Sequence, residues 1–210
     1  METIDFSPVG FNKQFVKHQY TKDDLKPLWD EVNELLEDRS VYPEYQYNLA
    51  GNLEHEYMLP DEIKSHIHKI VGPLIAQYSK TNKLPNKLVL GNVWVNLQQK
   101  HEFNPPHTHD GVLSFVIWLQ LPYTFAEEDR VAPGAKGKKP LSGRFSFYIP
   151  VGDEVKSYHL ESDQPNENTV VLFPSNLSHA VNPYYSTDEL RITISANYLD
   201  PELLKNEANA

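Results

Sequence analysis

Two histidines one residue apart, His107 and His109, stand at the head of a strongly apolar run, and a third, His179, follows 70 residues after His109. Side chains of an extended segment alternate faces, so His107 and His109 point the same way and can grip one ion. A tight pair near one strand and a single histidine near a later one is how a β-barrel collects a facial set of metal ligands. The opposite coordination positions then stay open for substrates. The chain contains no cysteine, so disulfides and thiolate sites are excluded and a transition metal must be held by imidazole and oxygen. His66 and His68 are two apart in a helical stretch, point about 200° apart and cannot chelate together. His18, His55, His101 and His159 fall into no pattern, although His101 lies close to the paired histidines.

The elements that must position these ligands divide the chain into a helical part, about residues 21–82, and a β part, about 87–198. Short apolar runs at Val9-Gly10-Phe11 and Phe15-Val16 suggest an edge strand. Leu25, Leu28, Trp29, Val32, Leu35 and Leu36 recur at helical spacing behind Thr21, Asp23 and Asp24, and predict an amphipathic helix to about Asp38 with Trp29 in the core. The Tyr- and Asn-rich stretch Val41–Leu59 reads as loop. Pro60-Asp61-Glu62 opens a second helix whose apolar face carries Ile63, Ile67, Ile70, Val71, Leu74 and Ile75. From Lys87 the period becomes two, with Val89, Val93, Val95 and Leu97 on one face and Asn92, Trp94, Asn96 and Gln98 on the other. That amide-rich face suits either a polar cavity or solvent. Val112–Leu121 is apolar on both faces, as a central strand is. Residues 122–140 read as a long loop; Arg144–Ile149, Tyr158–Leu160, Thr169–Phe173 and Leu190–Tyr198 complete the β part.

The last of these strands sets Leu190, Ile192, Ile194 and Ala196 on one face and Arg191, Thr193, Ser195 and Asn197 on the other. Facing out, the polar row is ordinary. Facing in, Arg191 is a buried cation that requires an anion, which a dicarboxylate supplies as a bidentate partner.

Composition bounds the remaining classes. Apolar residues make up 40% and charged residues 23% of the 210, the balance of an ordered globular protein folding as one unit over residues 1–210. A formal charge of −10 at pH 7, spread along the chain, argues against duplex nucleic acid as a partner, and the basic cluster Arg130–Lys139 reads as a solvated loop. No apolar run is long enough to cross a membrane as a helix and the amino terminus has no leader-like pattern, so a cytoplasmic location is expected. Oligomeric state is unreadable.

In order, Trp94-Val95-Asn96, His107-Thr108-His109, Phe173-Pro174 with His179, and Arg191-Ile192-Thr193 make a pattern that resembles the iron(II)- and 2-oxoglutarate-dependent oxygenases, a family with members in tailed bacteriophages. The resemblance covers about residues 88–198. It implies a mainly β fold with flanking helices, the double-stranded β-helix or jelly roll shared with cupins. It implies Fe(II) on His107, His109 and His179, and 2-oxoglutarate gripped by Arg191 with Thr193 as hydroxyl helper. Asn96 is a further candidate for the cosubstrate, and Trp94, Asn96 and Gln98 for the pocket wall. The implied activity is hydroxylation of an unidentified substrate by dioxygen, with decarboxylation of 2-oxoglutarate to succinate. The family's commonest motif is His-x-Asp, whereas this chain has His109 in the second place and Asp110 beside it. Three readings stay open: an all-histidine site, Asp110 as ligand, or a site that has lost oxygenase chemistry. A three-histidine cupin-like metalloenzyme without 2-oxoglutarate and a non-catalytic jelly-roll binding protein are the rivals.

Overall fold

A computed structural model describes residues 1–6 and 14–202 of the chain. Its strands are β1 (Glu2–Asp5), β2 (Gln14–Gln19), β3 (Glu56–Met58), β4 (Val89–Gln98), β5 (Asn104–His107), β6 (Leu113–Gln120), β7 (Phe145–Val151), β8 (Glu154–Leu160), β9 (Thr169–Pro174), β10 (His179–Val181) and β11 (Arg191–Leu199). Among the described residues the α-helices α1 (Lys26–Glu37), α2 (Lys64–Tyr78) and α3 (Phe125–Val131) accompany them. The strands form a seven-stranded sheet in the order β1-β2-β9-β6-β11-β4-β3 and a four-stranded sheet in the order β5-β10-β7-β8. All the pairings within them are antiparallel. This is the double-stranded β-helix with flanking helices.

Alternation along the strands builds two cores on either side of the large sheet. On the outer face Val93, Val95 and Leu97 of β4, Phe115 and Ile117 of β6, Val170 and Leu172 of β9, and Ile192, Ile194 and Ala196 of β11 join the helices. There α1 delivers Leu28, Val32 and Leu35, and α2 delivers Ile67, Ile70, Val71 and Leu74. Burying each such side chain is worth about 1.5–3 kcal/mol, which is what holds two isolated helices in place. The inner face carries the other parity. Val116, Trp118, Val171 and Phe173 meet Phe145, Phe147 and Ile149 of the small sheet.

The same parity settles which way the two polar rows point. Since Val93, Val95 and Leu97 face the helices, Trp94, Asn96 and Gln98 face the space between the sheets. Because Ile192, Ile194 and Ala196 pack outward, Arg191, Thr193, Ser195 and Asn197 face inward.

Five expectations need adjustment. The stretch Val41–Leu59 is not all loop, because Glu56–Met58 pairs along β4 as strand β3. The first helix begins at Lys26, because Thr21 and Asp24 close a turn through reciprocal hydrogen bonds and Pro27 occupies the first turn, where proline is tolerated. Residues 122–140 are not all loop: Thr124 and Glu127 form a capping box that starts α3. The strand at Tyr158–Leu160 extends back to Glu154 and pairs along its length with β7 across a two-residue turn at Gly152-Asp153. The amino-terminal region holds two strands, β1 and β2, while Val9-Gly10-Phe11 lies outside the described residues.

Candidate metal centre and cosubstrate pocket

His107 ends β5, and its Cα lies opposite that of His179, the first residue of β10. His109 follows two residues later, beyond the strand, and its N–H donates to the Ser175 carbonyl at 2.9 Å. Gly111 then turns the chain into β6 with φ +117°, a conformation open to glycine; a Cβ there would lie 3.0 Å from the Tyr198 carbonyl oxygen. The three rings converge, with centroids 4.3 Å apart for His107 and His179, 4.8 Å for His107 and His109, and 5.0 Å for His109 and His179. One nitrogen from each lies within 4.8 Å of those of the other two. Asp110 is exposed and outside this group.

Their surroundings favour the neutral form of the rings. His107 Nδ1 meets the Pro105 carbonyl at 2.7 Å and His179 Nδ1 meets the Leu177 carbonyl at 2.9 Å, so each Nδ1 is the protonated donor and Nε2 is free to ligate. Phe145 stacks on His179 at 5.5 Å and Phe173 meets it edge-on at 4.7 Å, apolar walls that fix its orientation. Burial lowers the pKa of all three; in His109 burial and then the neighbouring His107 bring it to about 4.

The histidines open onto a cavity that is also lined by Trp94, Asn96, Gln98, Arg191 and Thr193. Arg191 is 1% exposed. Its Nη1 donates a long bond to the Gly143 carbonyl at 3.4 Å, and its Nε and Nη2 have no protein partner. An unpaired buried cation is costly, and two free guanidinium donors match the two oxygens of a carboxylate. Asn96 Nδ2 donates to Thr193 Oγ1 at 3.0 Å, which leaves the hydroxyl hydrogen of Thr193 to point elsewhere in the cavity.

Sequence reasoning missed two participants. Glu56 of β3 lines the same cavity, is 0% exposed, and has no protein partner for either carboxylate oxygen. The Ser175 carbonyl supports His109, while its hydroxyl accepts from Ser114, which also reaches Asn197. Neither signals itself by spacing. His101 sits in left-handed backbone with its ring 5.0 Å from that of Tyr185, away from the three histidines.

Residues 92–197, half of the chain, match the family model of a 2OG-Fe(II) oxygenase. The chain belongs to that oxygenase family. The oxygenase is therefore an enzyme that uses Fe(II) and 2-oxoglutarate. No curated protein matches its sequence. Solved structures with the same fold include a prolyl-4-hydroxylase of Pseudomonas putida, at TM-score 0.59 and 13% identity over 88% of this chain and 91% of that one. A viral collagen prolyl hydroxylase of Paramecium bursaria Chlorella virus 1 has TM-score 0.54 and 13% identity over 89% of this chain and 96% of its own. The epimerase SnoN, solved with Fe3+, alpha-ketoglutarate and nogalamycin RO, has TM-score 0.54 and 15% identity over 89% of this oxygenase and 78% of SnoN. Among the described residues no helix is long and apolar enough to cross a membrane.

Proposed function

We propose that the oxygenase acts as one domain over residues 1–210, holds Fe(II) on His107, His109 and His179, and binds the far carboxylate of 2-oxoglutarate on Arg191 with the Thr193 hydroxyl. Asn96 is then a positioning residue that acts on the cosubstrate through Thr193. The single observation that carries this reading is the pair of unpartnered guanidinium nitrogens on Arg191, buried in the cavity onto which three neutral imidazoles open. A cupin-like enzyme without 2-oxoglutarate leaves that cation unexplained, and so does a non-catalytic jelly roll.

The residues fit both groups. Neutral imidazoles carry no charge, and Nδ1 of His107 and of His179 is tied to a backbone carbonyl, so a bound Fe(II) keeps its double charge and favours a dianionic cosubstrate. When bound, iron, 2-oxoglutarate and dioxygen together supply the oxidation that hydroxylates a C–H bond and yields succinate and carbon dioxide. The protein's part is orientation and exclusion of water. Arg191 fixes one end of the cosubstrate, Phe145 and Phe173 keep the His179 side dry, and the space beside Trp94, Leu49 and Ala50 receives the substrate.

Equilibrium dialysis against Fe(II) without oxygen tests the ligand set. One ion per chain should bind to the wild type and to Asp110→Asn, and binding should be lost with His107→Ala, His109→Ala or His179→Ala. Loss of binding in Asp110→Asn with retention in His109→Ala would overturn the all-histidine assignment in favour of the carboxylate.

A further inference from the structure

Three unpartnered buried acceptor atoms gather at one part of the cavity wall: both carboxylate oxygens of Glu56 and Oδ1 of Asn96. The two residues are opposite each other on β3 and β4, and Asn96 is in turn opposite Thr193 on β11. With neighbouring strands about 4.8 Å apart, the Glu56 backbone lies roughly 10 Å from that of Thr193, so its carboxylate is set apart from the cosubstrate anchor. The other side of Glu56 is closed by the chain at Leu49-Ala50-Gly51: a Cβ on Gly51 would lie 3.3 Å from Glu56 Oε2 and 2.7 Å from Asn104 Nδ2. Leu49, Ala50 and Asn104 line the cavity with it. The cavity is thus lined by free donors at Arg191 and by free acceptors at Glu56, and the cosubstrate accounts for only the first.

Resting on the active-site reading above, we infer that Glu56 is a specificity-determining residue that receives a positively charged nitrogen, an ammonium or guanidinium group, of the prime substrate. Three clustered acceptors call for a partner with several N–H donors. An ammonium group presents three and a guanidinium five, whereas a neutral primary amide presents two. A carboxylate buried without a partner is expensive, and an incoming cation removes that expense only when the right substrate is seated, which makes it a selective contact. Burial, and then the nearby Glu102, raise the Glu56 pKa to about 7 in the absence of such a partner. Asn96 contributes from both sides, its Nδ2 on Thr193 and its Oδ1 towards the acceptor cluster, and so links the cosubstrate end to the substrate end.

The same nitrogen could come from a peptide side chain or from a small amine, and the test separates them. Protein loaded with Fe(II) and 2-oxoglutarate without oxygen is titrated calorimetrically with acetyl-Gly-Lys-Gly-amide, its norleucine counterpart, n-butylammonium and 1-butanol. At least one cationic probe should bind the wild type tenfold or more tightly than its neutral counterpart. That preference should vanish in Glu56→Gln, with the visible iron–2-oxoglutarate band retained and a melting temperature no lower than that of the wild type. Preference confined to n-butylammonium assigns a small amine; preference shared by the lysine peptide assigns a side chain. Equal binding of charged and neutral probes, no binding of any probe, or an unchanged preference in Glu56→Gln overturns the inference while an intact band leaves the iron and 2-oxoglutarate assignment standing. Absence of the band in the wild type overturns both.

Discussion

Replacing Arg191 by Met keeps the side chain long and unbranched while removing the buried cation, so its effects isolate the guanidinium. Two unpartnered nitrogens, Nε and Nη2, are available to a carboxylate. Hydrogen bonds to charged groups are worth about 1.5–3 kcal/mol each, so their loss should cost about 3–6 kcal/mol of cosubstrate affinity, roughly 10²–10⁴-fold. The assay is thermal melting of the metal-loaded protein, without oxygen, with and without 2-oxoglutarate. Ligand at about 100 times its dissociation constant stabilises by about 2.7 kcal/mol, which for a chain of this size raises the melting temperature by roughly 5–10 °C. The same concentration of 2-oxoglutarate should move Arg191→Met by about 1 °C or less. Without ligand the variant should melt at or above the wild type, because a buried unpaired charge has been removed. A variant that keeps the full ligand-induced shift, or that unfolds well below the wild type when ligand-free, would refute the assignment of Arg191 as the carboxylate anchor.

Other perturbations test the supporting structure. Glu56 keeps its proton in the folded protein to about pH 7, whereas a free glutamate loses it near 4.5. The folded state therefore holds the extra proton between those values, so Glu56 costs stability progressively as pH rises through that window; the melting temperature of Glu56→Gln minus that of the wild type should grow from about pH 4.5 to 7 and then level off. A constant difference would contradict the burial argument. His109 shifts the other way: with its folded pKa brought to about 4 against 6.5 unfolded, its contribution is complete above 6.5 and is lost as pH falls towards 4. Burial lowers all three histidines, so protons compete less well for the folded site than for free imidazoles, and the loss of Co(II) affinity measured by dialysis should begin below pH 6.5; a steep fall beginning near 6.5 would mean solvated histidines. Gly111→Ala introduces a Cβ at φ +117° and 3.0 Å from the Tyr198 carbonyl, and should cost about 1–3 kcal/mol, seen as a lower denaturant midpoint together with weaker metal binding. An unchanged midpoint would show that the turn after His109 adapts freely.

The chemistry was more legible than the architecture that frames it. His107, His109 and His179 stand out because imidazole is the only strong transition-metal ligand this cysteine-free chain has at such spacing, and alternation alone puts the first two on one face. For Asn96 and Arg191, period-two patterning separates the faces of β4 and β11 but does not say which is inside. The structure decides it because α1 and α2 need Val95, Leu97, Ile192 and Ile194 as their floor, which turns the polar rows inward. α3 was readable from Thr124 and Glu127 at capping-box spacing, yet the prolines and glycines beyond it dominate the segment. Glu56 carried no sequence signal: its burial is created by pairing with Asn96, 40 residues away, and by the close approach of Gly51.

The proposed site joins three histidines and Arg191 around one iron and one 2-oxoglutarate. Its most direct test is anaerobic titration of the metal-free protein with Fe(II) and then 2-oxoglutarate, following the weak visible charge-transfer band that arises only when both share one centre. The band should saturate at one equivalent of each, be absent in His179→Ala and, at the same 2-oxoglutarate concentration, be strongly reduced in Arg191→Met. Iron binding without a band in the wild type, or a full band in either variant, would contradict the proposed site.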